Sequence, residues 1–355
     1  MEGSPQGRGL QNTMNRRDFL KTGTLAATAL AARPHDALAN PRTTMSTQHV
    51  KFCAFADLHY YPGVFPHDTP EWLGAILRRA ESANVDFIIH AGDFTHRPAH
   101  ETAFVRAYND FHIKTYHTIG NHDDDGNTHE QTLQAYGLQR GHYHFDCRGF
   151  RFIILDDNYF RVGDEYHHFS SSNYYKEGSA HWIPPEQVAW FRETVESSPW
   201  PCVTFCHGSF ERPVGSIHNY EEMQGIVNAA NRAHPGRVRL CVNGHHHRDC
   251  IRIQEGVVYL DLNSANYDWV PKRHACYSPE VLQRWRLACN TVMWNDPISA
   301  IITLDGDGTI DIQGAVSSLR DGVTAEMTGN ARVDACGRPT TAVIQSARFR
   351  MRYDG

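Results

Sequence analysis

No Cys-X-X-Cys pair occurs in the sequence, which removes the zinc-ribbon and thioredoxin-like readings. The 9 cysteines are odd in number and follow no short regular framework, so most are expected as buried thiols. Cys202 and Cys206 lie in one extended run and are too far apart to bridge each other. No apolar run is long enough to span a bilayer,. A basic surplus is also missing: 34 Lys and Arg stand against 40 Asp and Glu, a net charge of -6. That balance weighs against a nucleic-acid or anionic membrane partner. Past the leader there is no internal repeat or low-complexity stretch. With 41% hydrophobic and 21% charged residues the composition is that of a soluble globular chain,. Histidine is the abundant type, at 23 of 355.

The N-terminus carries Asn15-Arg16-Arg17-Asp18-Phe19-Leu20-Lys21, an Ala-rich run over 23–32, and Ala37-Leu38-Ala39 before Asn40. This pattern resembles a bacterial twin-arginine signal peptide over 1–39. It implies the twin-arginine export machinery as a partner, a periplasmic or secreted location, and a mature chain starting at 40.

From residue 50 onward, β-rich apolar runs alternate with helical patterns, which predicts an α/β architecture with buried sheets. Strands are expected at 50–56, 85–90, 114–119, 150–155, 201–206, 238–242, 257–262, 300–304 and 309–312. Helices are expected at 69–82, opened by Thr69 and Pro70, and at 99–111, 186–198 and 220–233. The stretches 159–184 and 263–295 break this rhythm and read as functional insertions. A main domain over 40–313 is expected, with 314–355 as a C-terminal extension.

Five of the expected strands end in the same chemistry: Asp57-Leu58-His59, Gly92-Asp93, Gly120-Asn121-His122-Asp123, His207, and Gly244-His245-His246-His247. Sites in α/β sheets collect beyond the carboxyl ends of strands. Carboxylate, amide oxygen and imidazole together suit borderline divalent cations such as Mn, Fe or Zn. Residues two apart at a strand end point the same way, so Asp57 and His59 can serve one centre.

The ordered set D-x-H, GD, GNHD, H, GHxH resembles the calcineurin-like metallophosphoesterase superfamily, over about 52–248. The resemblance implies a four-layer α/β/β/α sandwich of two mixed sheets. It also implies two metals: Asp57, His59, Asp93 and His247 on the first, and Asp93, Asn121, His207 and His245 on the second, with Asp93 bridging. A hydroxide between the metals would attack a phosphate ester in line, with His122 as general acid and Asp123 orienting it. Purple acid phosphatases are similar but carry Tyr three residues after the bridging Asp, where this chain has His96. The phosphodiesterase-like branch is therefore the better comparison. The implied substrate is a small phosphate mono- or diester. A nuclease of the same superfamily and a non-catalytic exported metal-binding protein are the alternatives.

Other motifs read as structural. Asp305-Gly306-Asp307-Gly308-Thr309 resembles the haloacid-dehalogenase nucleophile motif but reads better as a hairpin turn. Asn121 to Asp125 resembles half an EF-hand, yet Thr132 stands where the bidentate Glu is needed. Asp124 and Asp125 are expected as solvated charges, and His246 as a solvent-facing spacer. Tyr174, Tyr175, Trp182 and Trp269 are expected to pack mainly within their own loops.

Overall fold

The computed structural model describes residues 48–63, 69–177, 180–211, 217–270, 276–285, 287–329 and 340–353. The signal-like segment 1–39 lies outside the described residues.

The described strands are β1 (His49–Phe55), β2 (Phe87–Ala91), β3 (Thr115–Thr118), β4 (Tyr143–Cys147), β5 (Phe150–Ile154), β6 (Tyr159–Val162), β7 (Glu165–His168) and β8 (Cys202–Phe205). They continue as β9 (Val238–Asn243), β10 (Cys250–Gln254), β11 (Val257–Asp261), β12 (Tyr267–Trp269), β13 (Thr291–Met293), β14 (Ala300–Asp305), β15 (Thr309–Gln313) and β16 (Ala347–Arg350). The helices are α1 (Thr69–Ser82), α2 (Thr102–Asn109), α3 (His129–Tyr136), α4 (Tyr174–Glu177), α5 (Pro185–Glu196), α6 (Tyr220–Ala233) and α7 (Pro279–Arg284).

Two six-stranded sheets form, in the orders β16-β15-β14-β1-β2-β3 and β10-β11-β9-β8-β5-β4. Both are mixed: β1, β2 and β3 run parallel, as do β5, β8, β9 and β11, while β14, β15 and β16 in the first sheet and β4 and β10 in the second pair antiparallel. The layering follows from strand alternation. In β5 and β8, Phe152, Ile154, Val203 and Phe205 face the first sheet and share its core. Ile153 and Cys202 face outward and pack against Val188, Phe191, Met223 and Val227 of α5 and α6. On the far side, α1 contributes Trp72, Leu73, Ile76 and Leu77 at helical spacing to the first core. Phe52 meets Phe87, Phe152 and Phe205 between the sheets. Strands buried on both faces read as near-continuous apolar runs, and so the central strands were visible in the sequence.

The predicted α1 matches residue for residue, and the Asp305–Thr309 motif is the β14–β15 hairpin turn. Other features depart from expectation. The insertion 159–184 contains the β6–β7 hairpin and α4, and 263–295 contains the β12–β13 pair and α7. The expected C-terminal extension is partly built into the first sheet: β16 pairs with β15, and Ile344 is buried in the core. Cys250 is disulfide-bonded, and Cys53, Cys202, Cys206 and Cys241 are buried thiols. Among the described residues no helix is long and apolar enough to cross a membrane.

Candidate metal centre and active site

The polar groups at the strand ends converge. Asp57 and His59 follow β1, Asp93 follows β2, Asn121 and His122 follow β3, His207 follows β8, and His245 and His247 follow β9. Strand alternation is not what aims them. Asp57, His59, Asp93, His245 and His247 all have positive φ, between 51° and 67°. Non-glycine residues held in this left-handed region cost about 1–3 kcal/mol each and cluster at functional sites. Asp57 and His59 therefore reach one centre through left-handed turns beyond the strand, not through the pleat. Glycine permits the crowding: a Cβ on Gly120 would lie 2.3 Å from Asp93 N, and one on Gly92 would lie 2.2 Å from His207 Nδ1.

Two ligand groups result. In the first, His59 Nε2 lies 3.1 Å from His247 Nε2, and His247 Nε2 lies 3.2 Å from Asp57 Oδ1. In the second, His207 Nε2 lies 3.2 Å from Asp93 Oδ2 and from Asn121 Oδ1, and His245 Nδ1 lies 3.1 Å from Asn121 Oδ1. Asp93 Oδ2 also stands 3.6 Å from His59 Nε2, so one oxygen faces both groups. Its other oxygen accepts the His122 N–H at 2.8 Å. His207 Nδ1 donates to Ala91 O at 2.8 Å and His247 Nδ1 to Tyr267 O at 2.7 Å. With Nδ1 donating to a backbone carbonyl, each ring turns its Nε2 inward, the usual arrangement for metal-ligating histidines,. Lone-pair nitrogens 3.1 Å apart, facing carboxylate and amide oxygens, repel unless a cation lies between them. The donor set fits two divalent ions.

The ionisations are set by burial and by the Asp93 charge. Burial works to lower His207, but the Asp93 carboxylate overrides it and pushes the ring up to about 10. Burial alone would raise Asp93, yet His207 and His122 hold it well below the usual carboxylate range. Burial drives His59 and His245 well below ordinary histidine, so both stand neutral.

The general-acid assignment needs one correction. Asp125, not Asp123, orients His122: the His122 Nδ1–Asp125 Oδ2 distance is 2.7 Å. Residues 121–124 form a 3-10 turn, in which i and i+3 eclipse, so His122 and Asp125 stack on one face. Asp123 points the other way. It accepts the backbone N–H groups of Asp93, Phe94, Thr95 and Gly120 and the Tyr136 hydroxyl, pinning the two metal loops together. Burial is opposed by Asp93 and Asp125 at His122, and the ring is raised to about 9.

Asp125 and Asp124 are not solvated. Asp125 also accepts His96 Nδ1 at 2.9 Å, Tyr174 O–H at 2.7 Å and Ser172 O–H at 3.0 Å. His96 Nε2 in turn meets His59 Nδ1 at 3.0 Å, and Asn121 Nδ2 donates to the Tyr174 hydroxyl at 3.2 Å. One carboxylate thus ties the acid to a ligand of each metal group. Asp124 is buried against His129. His246 is also buried, its ring edge-on to His245, not solvent-facing. Tyr175 and Trp269 line a cavity of about 250 Å³ beside His122, with Tyr61 and His96 on its wall. Tyr174 and Trp182 do pack within their own loop, Tyr174 on Phe169 and Trp182 on Tyr166, and Trp182 also stacks on His218 outside it. Sequence reasoning missed Asp125, His96, Ser172 and Tyr174; the i+3 spacing of His122 and Asp125 was the one available signal.

The calcineurin-like phosphoesterase family model matches residues 50–249. The chain belongs to this family. The family is dimetal-dependent, and the described residues include two His/Asp groups that could hold metal ions. A dimetal phosphatase from Danio rerio superposes with a TM-score of 0.53 at 13% identity, over 75% of this chain and 95% of that one. GAP50, the anchor in the inner membrane complex of Plasmodium, superposes with a TM-score of 0.50 at 12% identity, over 86% and 89%. At these identities the likeness concerns the fold. No curated protein shows a significant sequence match to this chain.

Proposed function

We propose that this metallophosphoesterase hydrolyses a small-molecule phosphate mono- or diester in the periplasm, with His122 as general acid. The observation that carries the reading is Asp93 Oδ2 facing both ligand groups while its Oδ1 holds the His122 backbone. Two divalent cations bound there, Mn, Fe or Zn by donor type, supply an acidified water and charge neutralisation at the phosphoryl group. Asp57, His59, Asp93 and His247 would hold one, and Asp93, Asn121, His207 and His245 the other. His122 carries its proton at neutral pH because Asp93 and Asp125 stabilise the imidazolium. With Nδ1 committed to Asp125, Nε2 is the nitrogen left to protonate the departing alkoxide, a step worth about 10²–10⁴-fold. The adjoining cavity would receive the leaving group, with Tyr175 and Trp269 excluding water from it.

A non-catalytic role is less favoured, because every ligand position and the acid are filled. The acidic balance weighs against a nuclease,. The Cys250 disulfide suits an oxidising compartment,, in keeping with export through the N-terminal pattern. The test is His122→Ala: metal content should hold, and turnover should fall far more on alkyl esters than on nitrophenyl esters, whose leaving group needs no proton. Equal losses on both would remove His122 from the acid role.

A further inference from the structure

Behind the catalytic loop, and sharing no residue with either ligand group above, His129, Asp156 and His168 bring one ligand atom each within 4.8 Å of one another. His129 opens α3, Asp156 lies just past β5, and His168 ends β7 of the inserted hairpin. His129 and Asp156 are each 1% exposed. His129 Nδ1 is anchored on Asp124 Oδ2 at 2.9 Å, the carboxylate–histidine pairing that orients metal-ligating imidazoles. Its Nε2 therefore faces Asp156 Oδ2, at 3.2 Å. That separation matches the ligand-to-ligand spacings in the two catalytic groups. Asp156 Oδ1 is already engaged by the Asn158 backbone and side-chain N–H groups. Asp156 Oδ2, His129 Nε2 and His168 Nδ1 are all buried without a well-formed hydrogen bond.

The charge count asks for a cation. Two buried carboxylates, Asp124 and Asp156, meet here on the two nitrogens of His129. One proton on His129 leaves the cluster at −1, whereas one divalent cation with neutral imidazoles leaves it at zero.

We propose that His129, Asp156 and His168 form a third metal site, structural and not catalytic, for one borderline divalent cation such as zinc. His168 lies flat on His129, with centroids 3.8 Å apart, and presents Nδ1 by turning about its soft terminal torsion. The site joins α3 and the end of β5 to the β6–β7 hairpin. The chain that leaves this hairpin delivers Ser172 and Tyr174 to Asp125. The third ion thus clamps the insertion that holds the general acid in place.

The test is zinc stoichiometry of the full chain after equilibrium dialysis. Wild type should hold three ions and His168→Asn two, and His168→Asn should also remove one ion in an Asp93→Ala background. No change on His168→Asn in either background would overturn the site and leave an Asp124–His129–Asp156 ion-pair cluster. Failure of the catalytic reading is distinguishable: Asp93→Ala alone would then match wild type while the His168→Asn drop persisted. Anomalous scattering from zinc-soaked wild-type crystals reads the site without substitution. A peak roughly 2.0–2.2 Å from His129 Nε2 and Asp156 Oδ2 supports it; peaks at the catalytic groups alone overturn it.

Discussion

Replacing Asp125 by Asn keeps the shape of the hub and removes its charge. His122 loses one of the two carboxylates that raise it to about 9. An opposite charge in direct contact shifts a pKa by about 1–3 units, so the ring should fall toward about 7. A general acid works protonated, and activity is lost as pH rises through its pKa. The alkaline limb of kcat should therefore move to lower pH. At pH 8 the protonated fraction drops from about 0.9 to about 0.1, roughly tenfold in rate or about 1.4 kcal/mol. Lost orientation adds to this, up to the general-acid ceiling of about 10²–10⁴-fold. The assay is kcat against pH for an alkyl and a nitrophenyl phosphate ester, on protein checked for metal content. The alkyl ester should show the shifted limb and the loss; the nitrophenyl ester should lose no more than a few-fold. An unmoved limb, or equal losses at unchanged metal content, would refute the coupling of Asp125 to His122.

Further outcomes are expected elsewhere. Gly120→Ala places a Cβ 2.3 Å from Asp93 N and Oδ1; it should cost about 1–3 kcal/mol in thermal unfolding and empty the metal site, and wild-type metal content would count against the close approach. Cation binding must displace the proton that Asp93 keeps on His207 up to about 10, so affinity should rise about tenfold per pH unit across neutral pH. Calorimetry in buffers of different ionisation enthalpy reads that proton, and its absence would contradict His207 as a ligand. Arg16→Lys with Arg17→Lys should trap the precursor inside the cell; undiminished export on fractionation would exclude the twin-arginine route.

The sheets and ligands were legible because both are written in local pattern. Central strands such as β5 and β9 are buried on both faces and read as apolar runs, and each ligand sits at the end of such a run. Network residues were not legible, since their partners are remote in sequence. Ser172 and Tyr174 meet Asp125 across 47 and 49 residues, and no periodicity names such a partner. His129, Asp156 and His168 are likewise assembled by tertiary folding from three separate elements. Adjacency along the chain points to Asp123, whereas the 3-10 turn after β3 makes Asp125, at i+3, the true neighbour of His122. The strand β16, Ala347-Arg348-Phe349-Arg350, alternates in burial, but a short edge strand in a polar tail carries a weak signal.

Electron paramagnetic resonance of the manganese-loaded enzyme addresses the bridging role of Asp93 most directly. Two ions sharing its carboxylate, roughly 3.5–4 Å apart, should give an exchange-coupled signal that grows in step with phosphoesterase activity and disappears with it in Asp93→Ala. Full activity accompanied only by uncoupled, mononuclear manganese would contradict a dinuclear centre.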